Sequence, residues 1–139
     1  MNESVVVIGN FDGVHAGHRR VLQAALAGDG LPVIVVTFWP HPVTVLRPGQ
    51  APKLLSDLRT RIELLREAGA HEVRVISFTP DVAALDPATF VERFLLPLNP
   101  RRIVVGENFR FGAKAAGDVA TLATLGQGRF AVEPVALEH

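Results

Sequence analysis

Residues 4–18 read SVVVIGNFDGVHAGH, and this stretch decides the fold of the chain. It joins an apolar run to a glycine-rich loop and then to the start of a helix. The β-branched run Ser4–Gly9 predicts a buried strand. The helix predicted over Gly17–Ala27 has one apolar stripe, formed by Val21, Leu22, Ala25 and Leu26. A strand, a glycine loop and a helix in this order form the first unit of an α/β fold.

The same alternation of strands and helices continues to the end of the chain. Further strands are predicted at Leu31–Phe38, Glu72–Phe78, Arg102–Val105 and Phe130–Val135. Helices are predicted from the N-cap pair Ser56 and Asp57 through Ala68 (with Leu58, Ile62 and Leu65 buried), from Asp86 to about Leu96, and over Asp118–Leu125. The proline-rich stretch Trp39–Pro52 predicts a long loop, because proline interrupts a regular helix.

The order βαβαβαβαβ predicts an α/β fold with a Rossmann-like, parallel five-stranded sheet and helices on both of its faces. A length of 139 residues is the size of one domain, which we expect to span residues 1–136. The last three residues, Leu137–His139, resemble the beginning of a histidine tag and are expected to lie outside the domain.

Composition and charge exclude several classes of function. Lys plus Arg and Asp plus Glu both number 14, so no basic field is expected for nucleic acid or a membrane surface. The absence of cysteine excludes disulfides, thiolate metal sites and cysteine nucleophiles. The apolar runs are strand-sized and the N-terminus lacks a signal-peptide pattern, so a cytoplasmic protein is predicted. Lys53, Arg59 and Arg61 are expected to be solvated charges.

Three irregular segments are expected to meet at one edge of the sheet. Gly9–His18 follows the first strand, Phe38–Pro52 the second and Gly106–Gly117 the fourth. The carboxyl ends of parallel strands lie at the same edge, and ligands of such folds bind there, where the strand order reverses. The functional site is therefore predicted at this edge.

The first of these segments predicts a phosphate site. Gly9, Gly13 and Gly17 allow close approach of the backbone, and a helix start favours an anion. His15 and His18 can donate hydrogen bonds to a phosphoryl group as its charge grows. The alternatives are a glycine turn with two solvated histidines and a two-histidine zinc site. The context of strand, loop and helix favours phosphate over both.

The segment GNFDGVHAGH (residues 9–18) resembles the HxGH motif of the nucleotidylyltransferase superfamily. Its variant is similar to the FMN adenylyltransferase module of prokaryotic bifunctional FAD synthetases. TFWPHP (residues 37–42) resembles the flavin-side loop of that family, and VGENFRFG (residues 105–112) resembles its GxDFxFG segment. Asn108 stands where the family commonly has Asp, and it keeps a carbonyl acceptor. The resemblance covers nearly the whole chain and implies the nucleotidylyltransferase fold.

This resemblance implies transfer of AMP from Mg-ATP to FMN, which gives FAD and pyrophosphate. The implied catalytic residues are His15 and His18. The implied nucleotide-binding residues are Gly9, Asn10, Phe11, Asp12, Gly13, Gly17 and Gly106. The implied flavin-binding residues are Phe38, His41, Pro42, Asn108, Phe109, Arg110 and Phe111. Mg²⁺ is expected to arrive with ATP, and no side chain is assigned to it as a direct ligand.

The family usually continues into a Ser-Ser-Thr-x-x-Arg segment and then a riboflavin kinase domain. The 139 residues contain neither, so a shortened chain is expected whose covalent partner in the full-length protein is that kinase domain. Three alternatives remain open: another HxGH nucleotidylyltransferase, a module that binds flavin or ATP without turnover, and the dinucleotide-binding domain of an oxidoreductase. The absence of a GxGxxG motif argues against the last.

Overall fold

The structure, a computed structural model, describes residues 2–11, 16–28, 30–39 and 58–136. The strands are β1 (Ser4–Ile8), β2 (Val33–Trp39), β3 (Glu72–Ser77), β4 (Pro100–Gly106) and β5 (Ala131–Val135). The helices are α1 (Ala16–Leu26), α2 (Leu58–Glu67), α3 (Pro80–Ala83), α4 (Pro87–Phe90) and α5 (Val119–Leu125). Helix α4 continues through a π-helical turn (Val91–Leu95) into a 3-10 turn (Leu96–Leu98), and another 3-10 turn (Ala113–Ala115) precedes α5.

The five strands form one parallel sheet in the order β3-β2-β1-β4-β5. Strand β1 is central, and its Val6 lies opposite Ile34 of β2 and Ile103 of β4. The strand order therefore reverses beside β1, between β1 and β4. The predicted Rossmann-like sheet of five parallel strands is confirmed.

Helices cover both faces of this sheet. Alternate residues of β1 enter different cores: Val5 and Val7 pack in the layer of α1 and α2, with Leu22 and Leu65. Val6 and Ile8 pack on the other face, among residues of the α4 extension and α5. Burial on both faces explains why these strands are continuous apolar runs rather than alternating ones.

The region after β3 differs from the prediction in two respects. A short helix that was not expected, α3, begins at the N-cap Thr79, whose side chain accepts a hydrogen bond from the Val82 N–H at 3.2 Å. The predicted helix from Asp86 is present, but it changes to π and 3-10 geometry before its end. Pro97 has no N–H to continue an α-helix, and Asn99, with φ of 52°, ends the segment in the left-handed region.

The prediction that Arg61 is a solvated charge is wrong. Arg61 is fully buried, whereas Arg59 on the same helix has a side chain 91% exposed. Helix α2 places Arg61 on the same face as Leu65, four residues later, and this face packs against the sheet. Leu58 and Ile62 are only half-buried. Of the predicted buried stripe of α2, only Leu65 is fully buried, and periodicity alone did not indicate Arg61.

Several predicted features lie outside the described residues. They are Lys53, the N-cap pair Ser56 and Asp57, the proline-rich loop after Trp39, and Leu137–His139. Trp39 itself is the last residue of β2. None of the helices in the described part of the chain has the length and apolar character that a membrane crossing requires.

We predict that Leu122→Ala lowers the free energy of unfolding by about 2–5 kcal/mol, because Leu122 is fully buried in the core beneath α5. Leu26→Ala is the matched control, since Leu26 also lies on a helix but is 38% exposed. Urea unfolding followed by circular dichroism measures both variants. Equal losses from the two variants would contradict this description of the core.

Candidate functional site

A cavity of about 1150 Å³ opens at the carboxyl edge of the sheet. The strands reach it through Ile8 of β1, Phe38 of β2 and Gly106 of β4. It thus lies where the strand order reverses, beside the central strand. Its volume is large enough for a nucleotide-sized ligand.

The loop after β1 enters the cavity with a constrained backbone. Phe11 has a φ of 55°, and it is only 2% exposed. A Cβ atom on Gly9 would lie 2.9 Å from the Phe11 ring, so the ring can pack there only because residue 9 is glycine. The Asn10 carbonyl accepts a hydrogen bond from the Thr37 hydroxyl at 2.9 Å. The loop is therefore bonded to β2 through Asn10, and its own Phe11 ring packs against Gly9.

Two polar side chains of this region face the cavity. His18, on the first turn of α1, meets the Phe11 ring edge-on, with centroids 5.0 Å apart and an angle of 70° between the planes. The Oδ1 atom of Asn10 is buried and has no hydrogen-bond partner among the described residues. A buried acceptor without a donor costs free energy, so a ligand that donates a hydrogen bond would stabilise this site.

An aromatic wall forms part of the lining of the cavity. Its five rings are those of Phe38, Phe78, Phe90, Phe109 and Phe111. Phe38 meets Phe78 edge-on at 5.7 Å, Phe90 lies 5.8 Å from Phe111, and Phe111 stacks on Phe109 at 5.6 Å with an angle of 11°. A wall of rings suits a flat, partly apolar ligand.

The loop after β4 covers part of the cavity and is tied into the rest of the fold. Phe111 and Gly117 exchange backbone hydrogen bonds of 3.0 and 2.8 Å. Gly112 has a φ of 80°, and a Cβ there would lie 2.9 Å from Pro87 of α4. The next residue, Ala113, donates its N–H to the Leu85 carbonyl at 2.7 Å. The loop is therefore anchored to the segment between α3 and α4.

Arg110 holds this loop together from within. Its Nε and Nη2 atoms donate to the Ala115 carbonyl at 3.2 and 3.0 Å, and its Nη1 lies 3.8 Å from the Asp118 carboxylate. Ala115 and Lys114 both have positive φ values, 53° and 56°. Two consecutive non-glycine residues in the left-handed region are strained. The hydrogen bonds from Arg110 stabilise this conformation.

Asp118 is the N-cap of α5. It accepts hydrogen bonds from the backbone N–H of Thr121 at 2.9 Å and from its hydroxyl at 3.0 Å. These two bonds, and after them the charge of Arg110, hold the pKa of Asp118 below its usual 3.8. The carboxylate therefore stays ionised at neutral pH and links the loop after β4 to α5.

The structure brings together most of the described residues that the sequence assigned to a site. Those that line the cavity are Gly9, Asn10, Phe11, His18, Phe38, Gly106, Asn108, Phe109, Arg110 and Phe111. Gly17 is buried in α1 and is not among the lining residues. Asp12, Gly13, His15, His41 and Pro42 lie outside the described residues.

Sequence reasoning missed one side of the cavity, formed by α3 and its flanks. Its lining residues there are Phe78, Pro80, Val82, Ala83 and Ala84. The run Thr79-Pro80-Asp81 carries a signal for this helix, because threonine is a good N-cap and proline is favoured at the first helical position. Phe90 was also missed, although it follows the predicted helix start at Pro87 by three residues.

The fold and the cavity define an α/β protein of the nucleotidylyltransferase type. The family model described as FAD synthetase matches residues 1–138. The chain belongs to the FAD synthetase family, as its three sequence motifs predicted.

Curated relatives carry the name bifunctional riboflavin kinase/FMN adenylyltransferase. That of Listeria monocytogenes is 36% identical over 132 residues, which are 92% of this chain and 42% of the relative. That of Escherichia coli K12 is 39% identical over 127 residues, 88% of this chain and 40% of the relative. The chain thus spans about two fifths of the length of these relatives.

A solved structure described as a macrolide-efflux protein from Streptococcus pneumoniae has a similar fold. It superposes with a TM-score of 0.87 at 27% identity, over 97% of this chain and 45% of that one. The likeness extends over nearly every element described above. It supports the fold assignment independently of the sequence motifs.

We predict that Asp118→Asn lowers the melting temperature at pH 7. The pKa of Asp118 is lower in the folded protein than the unfolded value of 3.8. Its contribution to stability is therefore complete above about pH 4 and is lost as the pH falls through the folded pKa. The difference in melting temperature between wild type and variant should accordingly shrink between pH 5 and pH 2.

Thr121→Val is the companion variant, because it removes the hydroxyl donor to Asp118 and leaves the backbone donor in place. It should reduce the acid-sensitive part of the stability without abolishing it. Melting curves recorded by circular dichroism over this pH range measure both effects. A difference between wild type and Asp118→Asn that is independent of pH would contradict the assignment.

Proposed function

We propose that the chain is an FMN adenylyltransferase, which transfers AMP from ATP to FMN and releases FAD and pyrophosphate. The observation that carries this proposal is the cavity beside β1. The glycine loop, His18 and the loop after β4 all contribute to its lining. Membership of the FAD synthetase family and the names of the curated relatives support the same activity.

The proposed nucleotide side lies between β1 and α1. The backbone around Gly9, Asn10 and Phe11, with Gly106 of the adjacent strand, is close enough to the cavity to contact a nucleotide. The start of the eleven-residue helix α1 favours an anion, since its first N–H groups lack partners within the helix. Asp12, Gly13 and Gly17 complete the proposed phosphate-binding segment.

In the proposed reaction, an oxygen of the FMN phosphate forms a bond to the α-phosphorus of ATP. The bond from that phosphorus to the oxygen bridging to the β-phosphate breaks, and pyrophosphate leaves with the electron pair. No covalent intermediate with the protein is needed, so positioning and charge stabilisation supply the rate. His18 and His15 are proposed to donate hydrogen bonds to the transferring phosphoryl group and the leaving pyrophosphate.

The proposed flavin side is the aromatic wall. Phe38, Phe109 and Phe111 offer ring surface to the isoalloxazine system, and His41 and Pro42 are proposed to extend that surface. The Asn108 amide carries both an acceptor and donors, as the edge of a flavin ring requires. Arg110 is proposed to contact the flavin through the guanidinium hydrogens that the Ala115 carbonyl does not take.

Mg²⁺ is proposed to enter as part of the Mg-ATP substrate, where it neutralises phosphate charge. The described residues contain no group of three or more histidine, aspartate or glutamate side chains able to hold a metal ion. No side chain is proposed as a direct ligand of this ion.

We also propose that residues 1–136 form one domain, joined in the full-length protein to a riboflavin kinase domain and located in the cytoplasm. The names and greater length of the relatives support the fused partner. Nucleic-acid and membrane partners are not proposed, since basic and acidic side chains are equal in number.

We predict that His18→Asn lowers kcat for FAD formation about 10²–10³-fold, the usual cost of removing one hydrogen-bond donor to a transition state. The measurement incubates the chain with FMN, ATP and Mg²⁺ and quantifies FAD by chromatography. His71→Asn is the control, because His71 lies at the amino end of the sheet, where its Nδ1 accepts a hydrogen bond from the Val33 N–H. Asparagine Oδ1 can replace that acceptor.

Two results would count against this proposal. Equal activity of His18→Asn and His71→Asn, with both variants folded, would remove His18 from the mechanism. A wild-type chain that forms no FAD would be titrated with FMN, whose fluorescence reports binding. Quenching would then favour a module that binds without turnover, and no quenching would contradict the flavin assignment.

A further inference from the structure

Arg61 has the largest fully buried side chain among the described residues, and the proposed mechanism does not use it. Burial of a guanidinium is costly unless its hydrogen bonds are made. Arg61 comes from α2, which does not line the cavity. Its partners Thr37 and Phe38, however, lie at the end of β2, where Phe38 lines the cavity.

The Nη1 atom of Arg61 donates one hydrogen to the Thr37 hydroxyl, at 3.2 Å, and the other to the Phe38 carbonyl, at 3.1 Å. The Thr37 hydroxyl has a single proton. Since Nη1 has no acceptor to offer, that proton goes to the Asn10 carbonyl at 2.9 Å. The hydrogen bonds therefore all run in one direction: Arg61 donates to Thr37, and Thr37 donates to Asn10.

Arg61 also contacts the residue that ends β2. Its guanidinium carbon lies 5.6 Å from the centre of the Trp39 ring, within the range of a cation–π interaction. One buried side chain thus contacts the end of β2 directly and the loop after β1 through Thr37. Both segments contribute residues to the cavity, namely Phe38 and Asn10.

We propose that Arg61 and Thr37 are positioning residues that hold the loop after β1 in register with the end of β2. This register sets the position of the nucleotide side of the cavity relative to the flavin side. The identity of the two ligands rests on the proposed function. In-line transfer depends on such geometry, because a displacement of about 1 Å costs about 10²-fold in rate. Neither residue is among those that line the cavity.

Thr37→Val is the primary test, with Thr37→Ser as its matched control. Valine keeps the β-branched shape of threonine in the strand but cannot bond to Asn10 or accept from Arg61. Serine keeps the hydroxyl. Arg61 itself is a weaker choice, since removal of a fully buried cation tests folding as much as positioning.

The first readout needs no ligand. Hydrogen–deuterium exchange of the free protein should be at least tenfold faster in Thr37→Val than in wild type for the amides of residues 9–11. Exchange in β4 and β5 should be unchanged, because β1 lies between them and β2 in the sheet. Thr37→Ser should exchange like wild type in all peptides.

The second readout separates kcat from KM in FAD formation. Thr37→Val should lower kcat about tenfold or more with little change in the KM for FMN, because the aromatic wall remains. Thr37→Ser should recover most of the loss. An equal rise in the KM values for FMN and ATP would indicate a general structural effect and would count against the positioning role.

The outcomes distinguish this proposal from the proposed function. Unchanged exchange in residues 9–11 overturns the positioning role, and so does faster exchange that extends to β4 and β5. Suppose that exchange in Thr37→Val is faster only in the loop after β1, but the wild type forms no FAD. This result supports the coupling of that loop to β2 and counts against adenylyl transfer. Faster exchange confined to this loop, together with a lower kcat and an unchanged KM for FMN, supports both the positioning role and the proposed function.

Discussion

Strand β1 is buried on both faces, and the positions of the other strands, the helices and the cavity follow from this burial. Val5, Val6 and Val7 are all fully buried, with neighbours in β2 and β4 and a helical layer on each side. A strand buried on both faces lies inside the sheet, and in a parallel sheet the chain leaves it at the edge where the other strands also end. This topology alone places the glycine loop at the cavity, without any specific contact of the loop.

The segments that line the cavity differ in how they are held in the fold. The aromatic wall belongs to the core, since Phe38, Phe90 and Phe111 are buried there. The loop after β4, in contrast, has a strained backbone, which Arg110 and Gly112 hold in place. Phe109 and Phe111 of this loop form part of the wall, and a strained backbone beside a cavity often marks a ligand site. Membership of the FAD synthetase family places this arrangement in a protein type whose relatives are named for flavin and nucleotide chemistry.

The strands and the longer helices were predictable because their signals are local. Continuous apolar runs predicted strands buried on both sides, and Asp86 with Pro87 predicted the start of α4. Helix α3 was missed because four residues are too few for a periodic pattern to develop. The π-helical turn was missed as well, since nothing in residues 91–95 distinguishes it from an ordinary helix. The places of Gly9, His18, Phe38 and Asn108 at one cavity followed from topology, while their roles stay predictions.

The α/β architecture, the edge of the sheet where three irregular segments meet, and the family could all be predicted from the residues alone. These conclusions depend on periodicity, on glycine and proline positions and on short motifs, all of which act over neighbouring residues. Only the tertiary structure decided that Arg61 is buried and bonded to β2, and that α3 closes one side of the cavity. The physical reason is that an arginine on a helix is stable on either face, and its choice depends on acceptors such as the Thr37 hydroxyl and the Phe38 carbonyl, which lie more than twenty residues away in sequence.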